Sequence, residues 1–208
     1  MSQPFDRACK VPVPGEIDES LDEFWVGDPW AISTSNNLSG FERNLVYLNK
    51  SGSNFVDISY LTGADSDGDG RCVIPADLNN DGRQDLVVRQ VGGGPLQVYE
   101  NRFPKQHWLK LSLRGTKSNS LGIGAKVTAN LSGRLIVREL HPINSYRSQS
   151  PSLIHFGLGK HNKIDSLIIE WPSGIIQEIG EIDVDRHILI HEKNNNVLPF
   201  NPGSQIAP

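Results

Sequence analysis

Leu109-Lys110-Leu111-Ser112-Leu113-Arg114 alternates apolar and polar side chains without a break. Successive side chains of a strand point to opposite faces, so this period of two puts three leucines on one face and Lys110, Ser112 and Arg114 on the other. Ala125, Val127, Ala129 and Leu131 repeat the pattern against Lys126, Thr128 and Asn130, and Ser132-Gly133 supplies a turn into a strand over 135–140. Further strands are expected over 153–156, 164–171, 175–179 and 187–190, a spacing that predicts a compact antiparallel β-sandwich or barrel. Trp171 alternates with Leu167 and Ile169 and is expected inside it. No helical period appears after residue 30.

Upstream the texture changes. Short apolar runs at 45–48, 55–58, 86–88 and 96–99 are separated by Asn, Asp and Gly, and the consecutive Leu86-Val87-Val88 reads as a strand covered on both faces. Glu16 to Asp28 holds six acids and no Lys or Arg, with Ile17, Leu21, Phe24 and Trp25 at helical spacing, which predicts a short amphipathic helix. A boundary is expected near Phe103-Pro104. The chain therefore divides into an acidic segment over 1–28, a first β region over 29–104, a second over 105–193, and a flexible tail over 194–208 rich in Asn and Pro. The fold class is all-β.

The 208 residues suffice for one large or two small domains. No apolar run approaches the roughly 20 residues of a membrane-spanning helix. The first thirty residues lack the basic start, apolar centre and cleavage site of a secretion signal, so the chain stays where it is made, unless it is a mature form or a C-terminal piece of an exported protein. Cys9 and Cys72 could pair, but their spacing does not require it. The net charge of -4 hides a contrast: six Asp between 65 and 85, then eight basic residues against Glu139 alone between 105 and 147. The bland account of the basic run is a solvated sheet face; the sharper one is a polyanion surface with Lys105, Trp108, Lys110, Arg114 and Lys126 as contacts.

The strongest chemical pattern is Asp77-Leu78-Asn79-Asn80-Asp81-Gly82-Arg83-Gln84-Asp85. Side-chain oxygens recur at positions 1, 3, 5 and 9, from Asp77, Asn79, Asp81 and Asp85. Gly82 at position 6 allows a sharp turn, and Arg83 at position 7 can add its backbone carbonyl. Calcium takes six to eight oxygens at about 2.3–2.6 Å, and this series suits it. Position 12 is Val88 rather than Glu and strands flank the loop, so it is no EF-hand. The alternative is an Asp-Gly hairpin turn with solvated acids. Asp65, Asp67 and Asp69 resemble a second copy of the first half, but Val73 at its ninth position leaves the donor set incomplete, and a surface turn is favoured there.

Asn44-Leu45-Val46-Tyr47-Leu48-Asn49, Phe55-Val56-Asp57-Ile58-Ser59, Asp69-Gly70-Arg71 and the 77–85 loop together resemble the FG-GAP (VCBS-type) repeats of calcium-binding β-propellers. The chain from His107 onward is similar to the ASPIC/UnbV domain, through His107-Trp108-Leu109, Gly115-Thr116-Lys117-Ser118-Asn119, Gly122-Ile123-Gly124-Ala125, Ser148-Gln149-Ser150, His155-Phe156-Gly157-Leu158-Gly159 and Trp171-Pro172-Ser173-Gly174. The same pairing occurs in proteins similar to cartilage acidic protein and its bacterial relatives. The resemblance implies an extracellular, periplasmic or surface-attached calcium-binding protein, with metal ligation carried over to 77–85 alone. The first region supplies one to two blades, a partial propeller, where closed propellers use about four to eight. Either the chain is truncated, or the blade packs on the second domain or on another subunit, including a homo-oligomer.

Catalytic signatures are missing from the sequence: no nucleophile elbow, zinc-protease or phosphate-loop motif is present, and the six His are scattered, where hydrogen-bonded roles are favoured over zinc ligation. The expectation is a non-enzymatic calcium-binding interaction or adhesion module with a protein or glycan partner. The alternative is polyanion binding, nucleic acid included.

Overall fold

The computed structural model describes residues 3–4, 36–37, 43–50, 52–66, 70–90, 96–143, 145–146 and 148–201. Two compact units emerge: Met1–Ile74, Leu86–Tyr99 and Ser145–Arg147 form the first, and Pro75–Asp85, Glu100–Asn144 and Ser148–Pro208 the second. This division differs from a single cut at Phe103-Pro104. Residues 75–85 lie ahead of that cut, yet they cluster with the second unit, because their side chains are tied to strands there.

In the first unit β1 (Gln3–Pro4) pairs antiparallel with β2 (Asn36–Asn37), and β3 (Tyr47–Lys50) pairs with β4 (Asn54–Asp57) in a hairpin closed through Gly52, whose N–H donates to Asn49 Oδ1 at 2.7 Å. A single helical turn, α1 (Ser59–Thr62), comes next. Asp57 Oδ1 accepts from Ser59 N–H at 2.9 Å and from its hydroxyl at 2.5 Å, and Ser59 Oγ in turn accepts from Val46 N–H at 2.8 Å. The Ser59 hydroxyl and N–H hold the Asp57 carboxyl below its ordinary range. Then β5 (Gly70–Ala76), β6 (Asp85–Gln90) and β7 (Gln97–Tyr99) form a three-stranded sheet in that order. Ala64 is the one buried apolar residue among the described residues of this unit.

The second unit holds the core. One sheet runs β10 (Arg134–Glu139), β9 (Lys126–Leu131), β13 (Ser166–Glu170), β14 (Ile176–Ile179), and the other β11 (Ile154–Gly159), β8 (His107–Arg114), β16 (Arg186–His191), β17 (Asn194–Pro199). A short pair, β12 (Lys163–Ile164) with β15 (Ile182–Asp183), lies beside them. Leu109, Leu111 and Leu113 of β8 meet Val127, Ala129 and Leu131 of β9, Phe156 of β11, Leu167 and Ile169 of β13, and Ile188 and Ile190 of β16 in one buried cluster. The expected sandwich is thus present, with Trp171 inside it and its indole N–H donating to Gln177 Oε1 at 2.9 Å.

Four details depart from the sequence reading. The central pair β8/β16 is parallel, with Leu111 opposite Ile188, because the chain crosses through the other sheet between them. Residues 194–199 form a strand rather than a flexible tail: Leu198 faces Leu189 across β16, and Val197 packs against the core, contacts that the Asn-rich composition concealed. Leu86, Val87 and Val88 are half-buried rather than fully covered. Strand β5 and the turn α1 were not expected. The helix expected over 16–28, Asp67, Asp69 and Cys9 lie outside the described residues.

Just past β16, Glu192 carries its carboxylate into a closed ring of donors. Its Oε2 accepts from three consecutive N–H groups, those of Thr116 at 2.7 Å, Lys117 at 2.6 Å and Ser118 at 2.8 Å, while Oε1 accepts from Ser118 Oγ at 3.0 Å and from Ser173 Oγ. Gly115 has no room for a side chain at the entrance to this nest, since a Cβ would stand 2.1 Å from Asn119 O. Burial by itself would raise the Glu192 carboxyl, but the Ser173 hydroxyl and the three N–H groups outweigh it and hold the group far below the usual range. A depressed folded-state value means that this stabilisation is complete above the ordinary Glu range and drains away as pH falls below it. Glu192→Gln is therefore expected to lower the melting temperature at neutral pH and to flatten the acid side of the stability profile, measured by thermal melts at stepped pH.

Candidate functional site

The outer face of β8 is not exposed. Alternation sends Trp108, Lys110 and Ser112 away from the leucine core, and the 77–85 loop of the same unit lies over Trp108 and Lys110. Gly82 makes the approach possible: its φ is +87°, and a Cβ there would fall 1.9 Å from Trp108 Nε1. Its carbonyl accepts from His155 Nε2 at 2.9 Å, which assigns the ring proton to that nitrogen, and the His155 and Trp108 rings are parallel with centroids 6.3 Å apart.

Within the loop the acids are fully engaged. Asp77 Oδ1 accepts from Asp81 N–H at 3.0 Å, and Oδ2 from Gly82 N–H at 2.8 Å and from Lys110 Nζ at 2.7 Å. Asn79 Oδ1 also accepts from Asp81 N–H at 3.1 Å, and its amide donates to Asp81 Oδ2 at 2.9 Å. Asp81 takes Arg83 N–H at 2.8 Å and the Arg83 guanidinium at 2.5 Å; the Arg83 N–H does most to hold its carboxyl low, against burial, with Asn79 and the guanidinium adding to it. Asp85, buried, accepts from Asn101 N–H at 2.8 Å and Leu78 N–H at 3.0 Å. Arg83 Nε reaches Asn101 O at 2.6 Å.

Tested against a calcium donor set, this arrangement fits poorly. The oxygens at positions 1, 5 and 9 face N–H groups and cations, and Lys110 Nζ stands against Asp77 Oδ2. Of the incomplete second loop only Asp65 lies among the described donors, and it pairs with Arg43 Nη1 at 2.7 Å.

The five residues read as polyanion contacts do not share a surface. Lys110 is buried against Asp77, and Trp108 lies partly under Gly82. Lys126 belongs to β9 in the opposite sheet and pairs with Glu170 at 2.8 Å. Arg114 is half-buried and donates to Leu113 O at 2.9 Å, which leaves Lys105 exposed. Among the described residues the five contacts expected for a polyanion are divided between two sheets and the segment ahead of β8.

Strand register adds residues that the loop motif did not announce. His155 of β11 and His187 of β16 flank Lys110 directly across β8. His187 faces Ser112 Oγ through Nε2 at 2.9 Å and is stacked on Phe200 with centroids 3.9 Å apart. Burial first, and then the Lys110 charge, push His187 down to about 4. His155 is lowered as well, by burial first and against the Gly82 carbonyl, with Lys110 and Arg138 adding to the downward pull. A cleft of about 250 Å³ opens beside His155, lined by Asp77, Lys110, Arg138, Glu139 and His141 among others. The signal for this grouping lay in the alternation of β8, which fixes the face of Lys110 but says nothing of its neighbours.

Residues 20–88 match the family model described as FG-GAP-like repeat, and residues 115–197 match the one described as ASPIC and UnbV. No curated protein matches the chain. The first match includes the 77–85 loop, whose hydrogen-bond partners stand in the second unit.

Two outcomes are expected from this geometry. Gly82→Ala should destabilise the second unit by about 2–4 kcal/mol, from the left-handed backbone and the collision with Trp108, with a shift of tryptophan emission alongside the lowered denaturant midpoint. His187 has a lowered folded value, so the unfolded chain takes up its proton first as the solution is acidified. Stability is therefore expected to be complete above about 6.5 and to fall toward pH 4, and His187→Gln should flatten that window in pH-stepped melts.

Proposed function

For a chain that joins an FG-GAP-like repeat to an ASPIC and UnbV domain, we propose a non-enzymatic interaction module, acting outside the cell or at its surface, that engages a protein partner through the β3–β4 hairpin. The supporting observation is the exposure of that hairpin. Tyr47, Leu48, Phe55 and Val56 all remain open to solvent, and so do Leu45 before it and Tyr60 and Leu61 on α1. A shallow groove of about 430 Å³ beside them has Leu45, Tyr60 and Leu61 on its walls and the Arg43–Asp65 ion pair at its rim. Exposed apolar side chains in this number, with polar groups beside them, suit a protein partner. Among the described residues, no helix is long and apolar enough to cross a membrane.

The nearest arrangement to a catalytic pair supports the non-enzymatic reading. Ser112 and His187 are within hydrogen-bond distance, but Ser112 is buried and Phe200 lies across the imidazole, so no substrate carbonyl has access to the hydroxyl. The placement of Lys110 and Lys126 on different sheets favours this reading over the polyanion alternative.

The test is retention. The immobilised wild-type chain is expected to hold a defined protein from the extracellular fraction that Phe55→Ser/Leu61→Ser fails to hold, with both chains giving the same circular dichroism spectrum. Equal retention would remove the hairpin from the proposal. Sedimentation of the free chain distinguishes a second copy of itself from a foreign partner.

A further inference from the structure

Lys110 reaches the 77–85 loop from β8 and brings a cation to the first oxygen of the donor series. Its Nζ lies 2.7 Å from Asp77 Oδ2 and 3.3 Å from Asn80 Oδ1, and 5.2 Å from the centre of the Trp108 ring. The Lys110 side chain is 7% exposed and that of Asp77 1%, so this pair is removed from water. At the other end of the loop Arg83 neutralises Asp81. Asp77, Asp81 and Asp85 therefore meet two monovalent cations carrying together the charge of one calcium ion, with one negative charge left over in either case. A divalent ion on Asp77 would have to share a desolvated carboxylate with an ammonium group at contact distance, where the repulsion is strong.

We infer that in this chain the Lys110 ammonium takes the place of the divalent ion: the loop with calcium-type spacing is a metal-independent clasp whose cation is supplied by the strand beneath it. The clasp also explains why 75–85 clusters with the second unit. Asp77 anchors to β8 through Lys110, Gly82 to Trp108 and His155, and Asp85 to Asn101. A loop closed by a free ion would need no such partner. The inference does not depend on the interaction surface proposed above, which lies on other residues.

The intact chain tests it directly. Melts in millimolar calcium, the range extracellular calcium modules require, and in chelator are expected to superimpose. Terbium, a calcium-sized ion that Trp108 beside the loop would sensitise, is expected to give no saturable luminescence that Asp81→Ala abolishes. A calcium-dependent rise in Tm, or terbium luminescence lost in Asp81→Ala, would overturn the inference. Variants give a second reading. Lys110→Met strands a buried carboxylate and is expected to lower Tm by on the order of 10 °C, while Lys110→Met/Asp77→Asn should recover more than half of that loss. Equal melting of the single and double variants would also overturn it. The calcium melts stand whether or not the variants fold.

Discussion

Strand β8 leaves almost no side chain between Leu109 and Leu113 to water, and much of the second unit is organised around satisfying both of its faces. The inner face needs only apolar bulk, which Phe156, Ile188 and the residues of the opposite sheet provide. The outer face is harder to cover, because it carries an ammonium group, a hydroxyl and an indole. Each finds a specific partner: Asp77 for Lys110, His187 for Ser112, and the bare backbone of Gly82 for Trp108. A buried ion pair stabilises little by itself, since desolvation offsets much of the attraction; its value here is positional, because it fixes Asp77 against β8.

The residues that carry the ASPIC and UnbV resemblance have their own explanation. Gly115-Thr116-Lys117-Ser118-Asn119 and Trp171-Pro172-Ser173-Gly174 are far apart in sequence, yet both end at the Glu192 carboxylate. Three successive N–H groups form a concavity for a negative charge, and the chain fills it with its own side chain. That arrangement locks two loops and the end of β16 together. These signatures read as structural requirements of the sandwich rather than as a ligand site.

How much was legible in the sequence depends on the kind of information involved. Period-two alternation located most strands of the second unit and its core, since Leu109, Val127 and Ile169 needed nothing beyond their own neighbours to be assigned inward. The parallel β8/β16 pairing was not visible, because alternation is the same in either direction. Strand β17 was hidden by a composition of Asn and Pro, although Val197 and Leu198 held the apolar positions that pair and pack. The loop motif names a series of side-chain oxygens, but a motif says nothing of what they meet. Lys110 was counted as part of a basic run, and only three-dimensional register turns it into the partner of Asp77. The same limit explains the dispersal of the other basic residues over two sheets.

The parallel neighbours Leu111 and Ile188 stand at nearly opposite ends of the second unit's chain. During synthesis β8 leaves the ribosome well before β16, so its leucines spend that interval without the strand that completes their sheet. Loop closure over such a separation is slow relative to hairpin formation, and β9 with β10 can pair at once while β8 waits. The nascent chain thus passes through a stage in which β11 can cover one edge of β8 while the other stays open until residues 186–191 have been made.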